Sequence, residues 1–418
     1  HSQRIRKFVL RFVIRKFMFA VSKQDKNCRA RSGIITTAHG FIETPSYVMV
    51  GTHAVVRSLT KEQLAQTHTQ VIIANTYHLW KTLGEDGLAS YAGLHQAMDW
   101  QKPLMTDSGG FQVFSMGFAR VQGVGKLIKD WERAATVGGE PRTVVRAGRE
   151  NLIEITEDGV YFNDEGERKY LDAEKSIAIQ QKLGADIIVA FDECTSPLHD
   201  YKYTQQSLER THRWAERSLK ARTSNQLMYG VVQGGVFEDL RIQSARFIGA
   251  LPFDGFAIGG AFGNSFGSTK KDTFRELEWS IPFLPSDRPR HLLGIGRIDD
   301  LLYGVEQGID TFDCVVPTRE GRHGWIWTLN GKLDITKGAY REDGRLIDQD
   351  CGCPVCALQQ VPRKDIHRLF KEKNPLAGEL ATLHNVFFFN DFMRQIRQAI
   401  AEDRFLEFKD EVLKGLQR

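Results

Sequence analysis

The chain has 418 residues, 41% of them hydrophobic and 26% charged, which is enough apolar content for a packed globular core and excludes a disordered composition. A formal net charge of +4 is too small to argue a nucleic-acid partner by itself. No apolar run approaches the roughly 20 residues needed to span a membrane.

In chain order, the first segment stands apart. His1–Lys16, HSQRIRKFVLRFVIRK, holds six Arg or Lys and no acid. That composition suits an artefact or upstream extension, an organellar targeting arm or an RNA-binding arm, and residues 1–18 are read as a basic extension outside the fold. Met18 opens sequence that reads as a domain start.

Between about residues 45 and 320, short β-branched runs end abruptly in Gly or polar residues. They are SYVMV (46–50), VIIANT (71–76), LMTDSGG (104–110), IIVAFDE (187–193), MYGVVQGG (228–235), FAIGG (256–260), HLLGIG (291–296) and TFDCVVPT (311–318). Continuously apolar strands alternating with helices indicate a parallel sheet covered on both faces, and eight units predict an α/β fold of the (β/α)8 TIM-barrel type over 19–330. Among the helices, Asp172 is placed to N-cap Ala173–Leu183, with Gly184 as its stop. Thr204–Arg222 and Phe237–Leu251 carry the amphipathic repeat.

A long Gly- and Arg-rich excursion, Val113 to Tyr170, separates the third and fourth runs. Within it EITEDGVYFND predicts a hairpin through its Asp-Gly pair. The arginines of the 126–151 stretch (Arg133, Arg142, Arg146 and Arg149) suit either an extended nucleic-acid surface or a solvated loop. After the eighth run the chain leaves the barrel at Gly321–Gly324. It then enters a segment, 331–418, read as a metal-binding subdomain with C-terminal helices. Phe392–Leu416 has helical spacing.

Cys351, Cys353 and Cys356 form C-x-C-x2-C, which is metal spacing rather than a secreted disulfide framework. Three thiolates plus one imidazole make a closed tetrahedral site suited to one structural Zn2+. His384 and His367 both follow, and His384, expected at the start of a helix, is favoured. Cysteines used this way point to a reducing compartment, hence the cytoplasm.

Polar residues recur at equivalent strand ends: Asp107, Asp192, Gln233, Gly260 and Asp313. On a TIM barrel these ends form the catalytic face. At these residues the chain resembles the tRNA-guanine transglycosylase (queuine tRNA-ribosyltransferase) family. The motifs are MTDSGGFQVFS (105–115), FDECTSP (191–197), YGVVQGG (229–235), FAIGG, LLGIGRIDD (292–300), GIDTFDCVVPTREGRHG (308–324) and CGCPVC, in consistent order from about Arg29 to Leu416.

The resemblance implies a (β/α)8 barrel with an inserted zinc subdomain that exchanges guanine in a tRNA anticodon for a 7-deazaguanine base. It casts Asp313 as nucleophile and Asp107 as general acid/base. Ser108, Gly109, Gly110, Phe111, Asp192, Gln233, Gly260 and Leu293 would bind the base. Gly294, Gly296, Arg297, Asp300, Thr318, Arg319 and Arg322 would contact RNA, and Cys351, Cys353, Cys356 and His384 would hold zinc. A G-U-N anticodon and a homodimer are further implications. Base exchange at a ribose without an energy source fits double displacement through a covalent intermediate, as in retaining glycosidases.

The loop GGAFGNSFG departs from the family pattern. A Glu usual a few residues beyond the double Gly is replaced near Asn264 and Ser265. Cys194 resembles members taking the aminomethyl base, whereas Gly263 resembles those taking queuine. Two other functions fit parts of the same pattern: a deazapurine transglycosylase acting on DNA, and a non-catalytic RNA-binding partner subunit. The complete PTREGRHG segment disfavours the first, and the presence of both aspartates disfavours the second.

Overall fold

The computed structural model describes residues 18–114, 153–195, 199–259 and 270–416, with side chains from 274 onward in the last segment. The expectations for residues 1–17, for the arginines of 126–151, and for Gly260, Gly263, Asn264 and Ser265 fall outside the described residues.

The first elements are β1 (Phe19–Gln24), β2 (Arg31–Thr37) and β3 (Gly40–Thr44), an antiparallel sheet. The eight apolar runs then appear as β4 (Ser46–Val50), β5 (Ile72–Ala74) and β6 (Leu104–Thr106), followed after a three-stranded sheet by five more. That sheet consists of β7 (Ile153–Ile155), β8 (Gly159–Asp164) and β9 (Glu167–Asp172). The remaining barrel strands are β10 (Ile187–Val189), β11 (Leu227–Val232), β12 (Gly255–Ile258), β13 (Arg290–Leu292) and β14 (Thr311–Asp313). All eight pair in parallel and close, with β14 beside β4 and β6 beside β10.

Alternation explains why the strands are apolar throughout. Val48, Ile73, Met105, Val189 and Val231 point into the barrel, while Met49, Ile72, Leu104, Ile188 and Val232 pack under the helices. Phe19, Ile35 and Ile42 from the first sheet join the interior cluster and close its floor. Arg31, 4% exposed, latches that sheet down by donating from Nε and Nη2 to Asp310, at 2.9 and 2.6 Å.

The helices are α1 (Lys61–Ala65), α2 (Thr76–Ala89), α3 (Leu94–Met98), α4 (Ala173–Leu183), α5 (Tyr201–Ala221), α6 (Glu238–Ala250), α7 (Lys270–Ser280), α8 (Ile298–Glu306) and α9 (Val316–Arg322). The bounds of α4 follow its caps. Asp172 Oδ1 accepts from Lys175 N at 2.7 Å, and Gly184 sits at φ 73°. Helix α5 begins three residues earlier than its apolar repeat, because Asp200 caps it by accepting from Tyr203 N.

The EITEDGVYFND hairpin is present, but the role expected of its glycine is not. Gly159 opens β8 without a positive φ, and a Cβ there would lie 2.7 Å from Leu171 O. The left-handed pair is instead Glu165–Gly166, at φ 52° and 91°, turning β8 into β9.

Beyond the barrel come the hairpin β15 (Trp325–Thr328) and β16 (Gly331–Asp334), then α10 (Arg363–Lys371), α11 (Pro375–Ala401) and α12 (Phe405–Leu416). The C-terminal segment is thus two helices, broken where Asp403 takes φ 56° and its carboxylate pairs with Lys23 and Lys26. Helix α11 ties two cores together. Phe389, Phe392, Ile396 and Ile400 face the barrel helices, while Leu380, Leu383 and Phe387 pack with Ile326, Ile335, Val355 and Ile366. Its buried Asn385 accepts from Trp327 N and donates to the carbonyls of Pro317 and Trp325, which satisfies its own amide in that seam. Among the described residues no helix is long and apolar enough to cross a membrane.

Candidate active site and metal cluster

Parallel strands leave their C-terminal ends on one rim, and here every barrel strand contributes to a single cavity of about 410 Å3. Val50, Asn75, Asp107, Asp192, Gln233, Gly259, Leu293 and Asp313 line it, one from each strand end in turn. Ser108, Gly109 and Phe111 line it too, with Phe111 45% exposed at the mouth.

Asp107 is held by the N-terminus of α2. Its Oδ1 accepts from Thr76 N at 2.8 Å and Gly109 N at 3.2 Å, and its Oδ2 accepts from Asn75 Nδ2 at 2.5 Å. Burial pushes its carboxyl up to about 7; the Thr76 amide opposes this and the nearby charge of Asp313 adds to it. Asn75 does two things at once, since its Oδ1 also caps α2 through His78 N.

Asp313 is prepared differently. Gly294 N, at 2.9 Å, and His291 Nε2, at 3.1 Å, both address Oδ1, and Oδ2 has no hydrogen bond among the described residues. His291 is fully buried, and its Nδ1 lies 3.0 Å from Thr311 Oγ1. The φ of 71° at Gly294 is what lets its amide point at the carboxylate.

Asp192 receives Gln233 Nε2 at 2.7 Å and Ser108 Oγ at 3.3 Å, and burial pushes its carboxyl up to about 6. Among the described residues Gln233 Oε1 is buried without a hydrogen-bond partner, an acceptor left beside the cavity. Cys194 also lines the cavity, and burial pushes its thiol up to about 12, so it stays protonated.

The other nominated residues divide. Arg319 is exposed and reaches the cavity, Gly294 and Arg297 are exposed, and Asp300 is half-buried in the first turn of α8. Gly296 and Thr318 turn inward. A Cβ on Gly296 would clash with Tyr47 and Cys314, and the Thr318 hydroxyl donates to Val315 O. Among the described residues Arg322 Nη1 is buried with no partner, near the like charges of Arg57 and Arg319. Asn75, Thr76 and His291 were missed in the sequence. Asn75 at a strand-to-helix junction was a legible cap signal, whereas nothing local marked His291.

Cys351, Cys353, Cys356 and His384 converge in the C-terminal segment, where they could hold a metal ion. The three Sγ atoms lie 3.8, 3.3 and 3.6 Å from His384 Nδ1. A tetrahedral ion with bonds of about 2.3 Å to sulfur and about 2.0 Å to nitrogen requires about 3.5 Å. His384 Nε2 lies 2.9 Å from Trp327 O, so the proton sits there and the Nδ1 lone pair faces the thiols. His384 stands well inside α11 rather than at a helix start. His367 is elsewhere, its Nδ1 bonded to Ile335 O.

A family model described as queuine tRNA-ribosyltransferase matches residues 25–126 and 118–418. The chain is 41% identical over 399 residues to a queuine tRNA-ribosyltransferase of Halothermothrix orenii, covering 95% of this chain and 97% of the relative. It is 42% identical over 393 residues to that of Geobacillus kaustophilus, covering 92% and 93%. With that of Caldanaerobacter subterraneus subsp. tengcongensis it shares 40% over 400 residues, 95% and 96% of the two chains. Matched along nearly its whole length, the chain belongs to the queuine tRNA-ribosyltransferase family.

Proposed function

We propose that this base-exchanging pentosyltransferase removes guanine from the G-U-N anticodon of a tRNA and installs a 7-deazaguanine base, by double displacement through a covalent ribose–Asp313 intermediate. The observation that carries this is a pair of aspartates prepared in opposite ways in one cavity. Asp313 has one oxygen held and the other open, while Asp107 keeps its proton to about pH 7.

In the first half-reaction Asp313 Oδ2 attacks C1′ as the glycosidic bond breaks, and Asp107 passes its proton to the departing guanine. In the second, the ionised Asp107 takes a proton from the incoming base. That base attacks C1′ from the face guanine left, and Asp313 departs as a carboxylate. Asp192 and the Gln233 amide would read the purine edge, with the Ser108–Phe111 backbone and Gly260 completing the contact and Phe111 and Leu293 flanking the ring. A base must be turned out to enter such a cavity, which costs least in a single-stranded loop. Arg57, Arg319 and Arg322 lie close enough for their charges to act on one another, a cationic cluster suited to phosphates, and Arg297 would extend it.

The metal is proposed as structural zinc, because all four donors are protein groups and no open position remains. A homodimer partner would cover Leu358, 76% exposed beside the cysteine turn. The cytoplasm is the proposed compartment. Aminomethyl-deazaguanine and queuine are the incoming bases proposed.

The test is incorporation of labelled guanine into unmodified G-U-N tRNA and into DNA of the same loop sequence. Label in tRNA alone is expected, and label in DNA alone would refute the assignment. Asp313→Ala should abolish a denaturation-resistant RNA adduct, and an adduct that persists removes Asp313 from the nucleophile role. Competition by the two bases identifies the one installed.

A further inference from the structure

At the opposite end of the barrel from the cavity, three side chains distant in sequence meet. His39 sits in the turn between β2 and β3, His95 in α3, and Asp186 just before β10. His39 Nδ1 lies 2.8 Å from Asp186 Oδ1, and His95 Nε2 lies 3.2 Å from Asp186 Oδ2. The two imidazoles stack with centroids 3.5 Å apart and planes 23° from parallel. One ligand atom from each residue falls within 4.8 Å of the others.

We propose that His39, His95 and Asp186 form a second metal site, for a divalent cation of the zinc class, which fastens the β2–β3 turn to the barrel floor. The protonation pattern of His95 is the main ground. Its Nδ1 lies 2.8 Å from Trp100 O, and a carbonyl can only accept, so Nδ1 carries the hydrogen. In the neutral ring the Nε2 lone pair then faces a carboxylate oxygen. Nε2 is buried with Asp186 Oδ2 3.2 Å away, a contact that only a protonated ring or a bridging cation makes favourable. A cation between them turns a lone-pair clash into two bonds.

The surroundings are those of a ligand set. A backbone carbonyl fixes the far nitrogen of His95, as it does for metal-bound histidines generally. Asp186 is oriented by Leu104 N at 2.9 Å on Oδ2 and His39 N at 3.2 Å on Oδ1. Donors about 2.0–2.2 Å from zinc sit about 3–3.5 Å from one another; the two histidine–carboxylate spacings are 2.8 and 3.2 Å, and all three ligand atoms lie within 4.8 Å. Without an ion, burial works against a proton on His95 while the Asp186 contact favours it, and the balance lifts the ring above its ordinary value; a cation at Nε2 would take that proton's place. His39 is 38% exposed, which leaves an entry path and a position for water.

The test counts ions on protein whose cysteine cluster already holds one zinc. Titrated with Co2+ under equilibrium dialysis, the chain should bind one further ion. Its d–d absorption should lack thiolate charge transfer, and the melting temperature should rise with free Co2+. His39→Ala, a change in an exposed turn, and His95→Gln should each weaken that second ion by more than about tenfold. Circular dichroism confirms that both variants fold. Saturation at a single ion, or a second ion held equally well by His39→Ala, overturns the site. The readouts are metal content and stability, so the outcome is independent of the base-exchange assignment.

Discussion

Asp107→Asn separates the electrostatics of the cavity from its chemistry. In the folded protein Asp107 holds its proton to about pH 7, whereas the unfolded chain releases it near the ordinary 3.8. Its contribution to stability is therefore complete below about pH 4 and lost as pH rises through about 7. Over the whole window this amounts to at most about 4 kcal/mol, of which about 3 kcal/mol falls between about pH 5 and about pH 8. Water in the open cavity screens the charge, so about 1–2 kcal/mol is the expected size.

Asparagine cannot titrate, so the variant should gain on the wild type by that amount as pH rises. A fixed cost is superimposed, because the new amide faces the Asn75 Nδ2 donor; about 1–3 kcal/mol covers it at every pH. Denaturant midpoints of both proteins at about pH 5 and about pH 8 isolate the pH-dependent part. Two stability curves separated by a constant offset would refute the claim that burial holds this proton.

Two further outcomes follow from the same geometry. His291→Phe removes one of two donors from Asp313 Oδ1 and leaves Gly294 N in place. It should lower kcat on the order of tenfold to a hundredfold with KM nearly unchanged, and a purely KM effect in steady-state assays would contradict a positioning role. Cys353→Ser should lower zinc below one per chain by elemental analysis and depress the melting temperature, since metal binding there is coupled to folding. An unchanged melting temperature with the metal gone would show that the cluster does not fasten α11 to the barrel.

Much of this molecule is written in short stretches of chain. Eight β-branched runs specify the barrel because a strand buried on both faces must be apolar at every position, and that holds whatever its neighbours are. Asp172 and Gly184 bound α4 because capping is chemistry within a single turn. The placing of Asp107, Asp192, Gln233 and Asp313 in one cavity was equally legible, since parallel closure sends all strand ends to one rim.

Tertiary structure alone decided the rest, and each case turns on contacts across long sequence separations. The sequence already favoured His384 over His367, but the orientation of its ring rests on Trp327 O, 57 residues away, while His367 is bonded to Ile335 O. The opposite preparation of Asp107 and Asp313 depends on burial and on donors from α2 and β13, not on two similar Asp-containing motifs. The Asp158–Gly159 hairpin was legible, but that Gly159 is there for the close approach of Leu171 O rather than for a left-handed φ was not. His39, His95 and Asp186 carry no motif at all. Their meeting follows from how the first sheet closes the barrel floor, a packing outcome that no local pattern encodes.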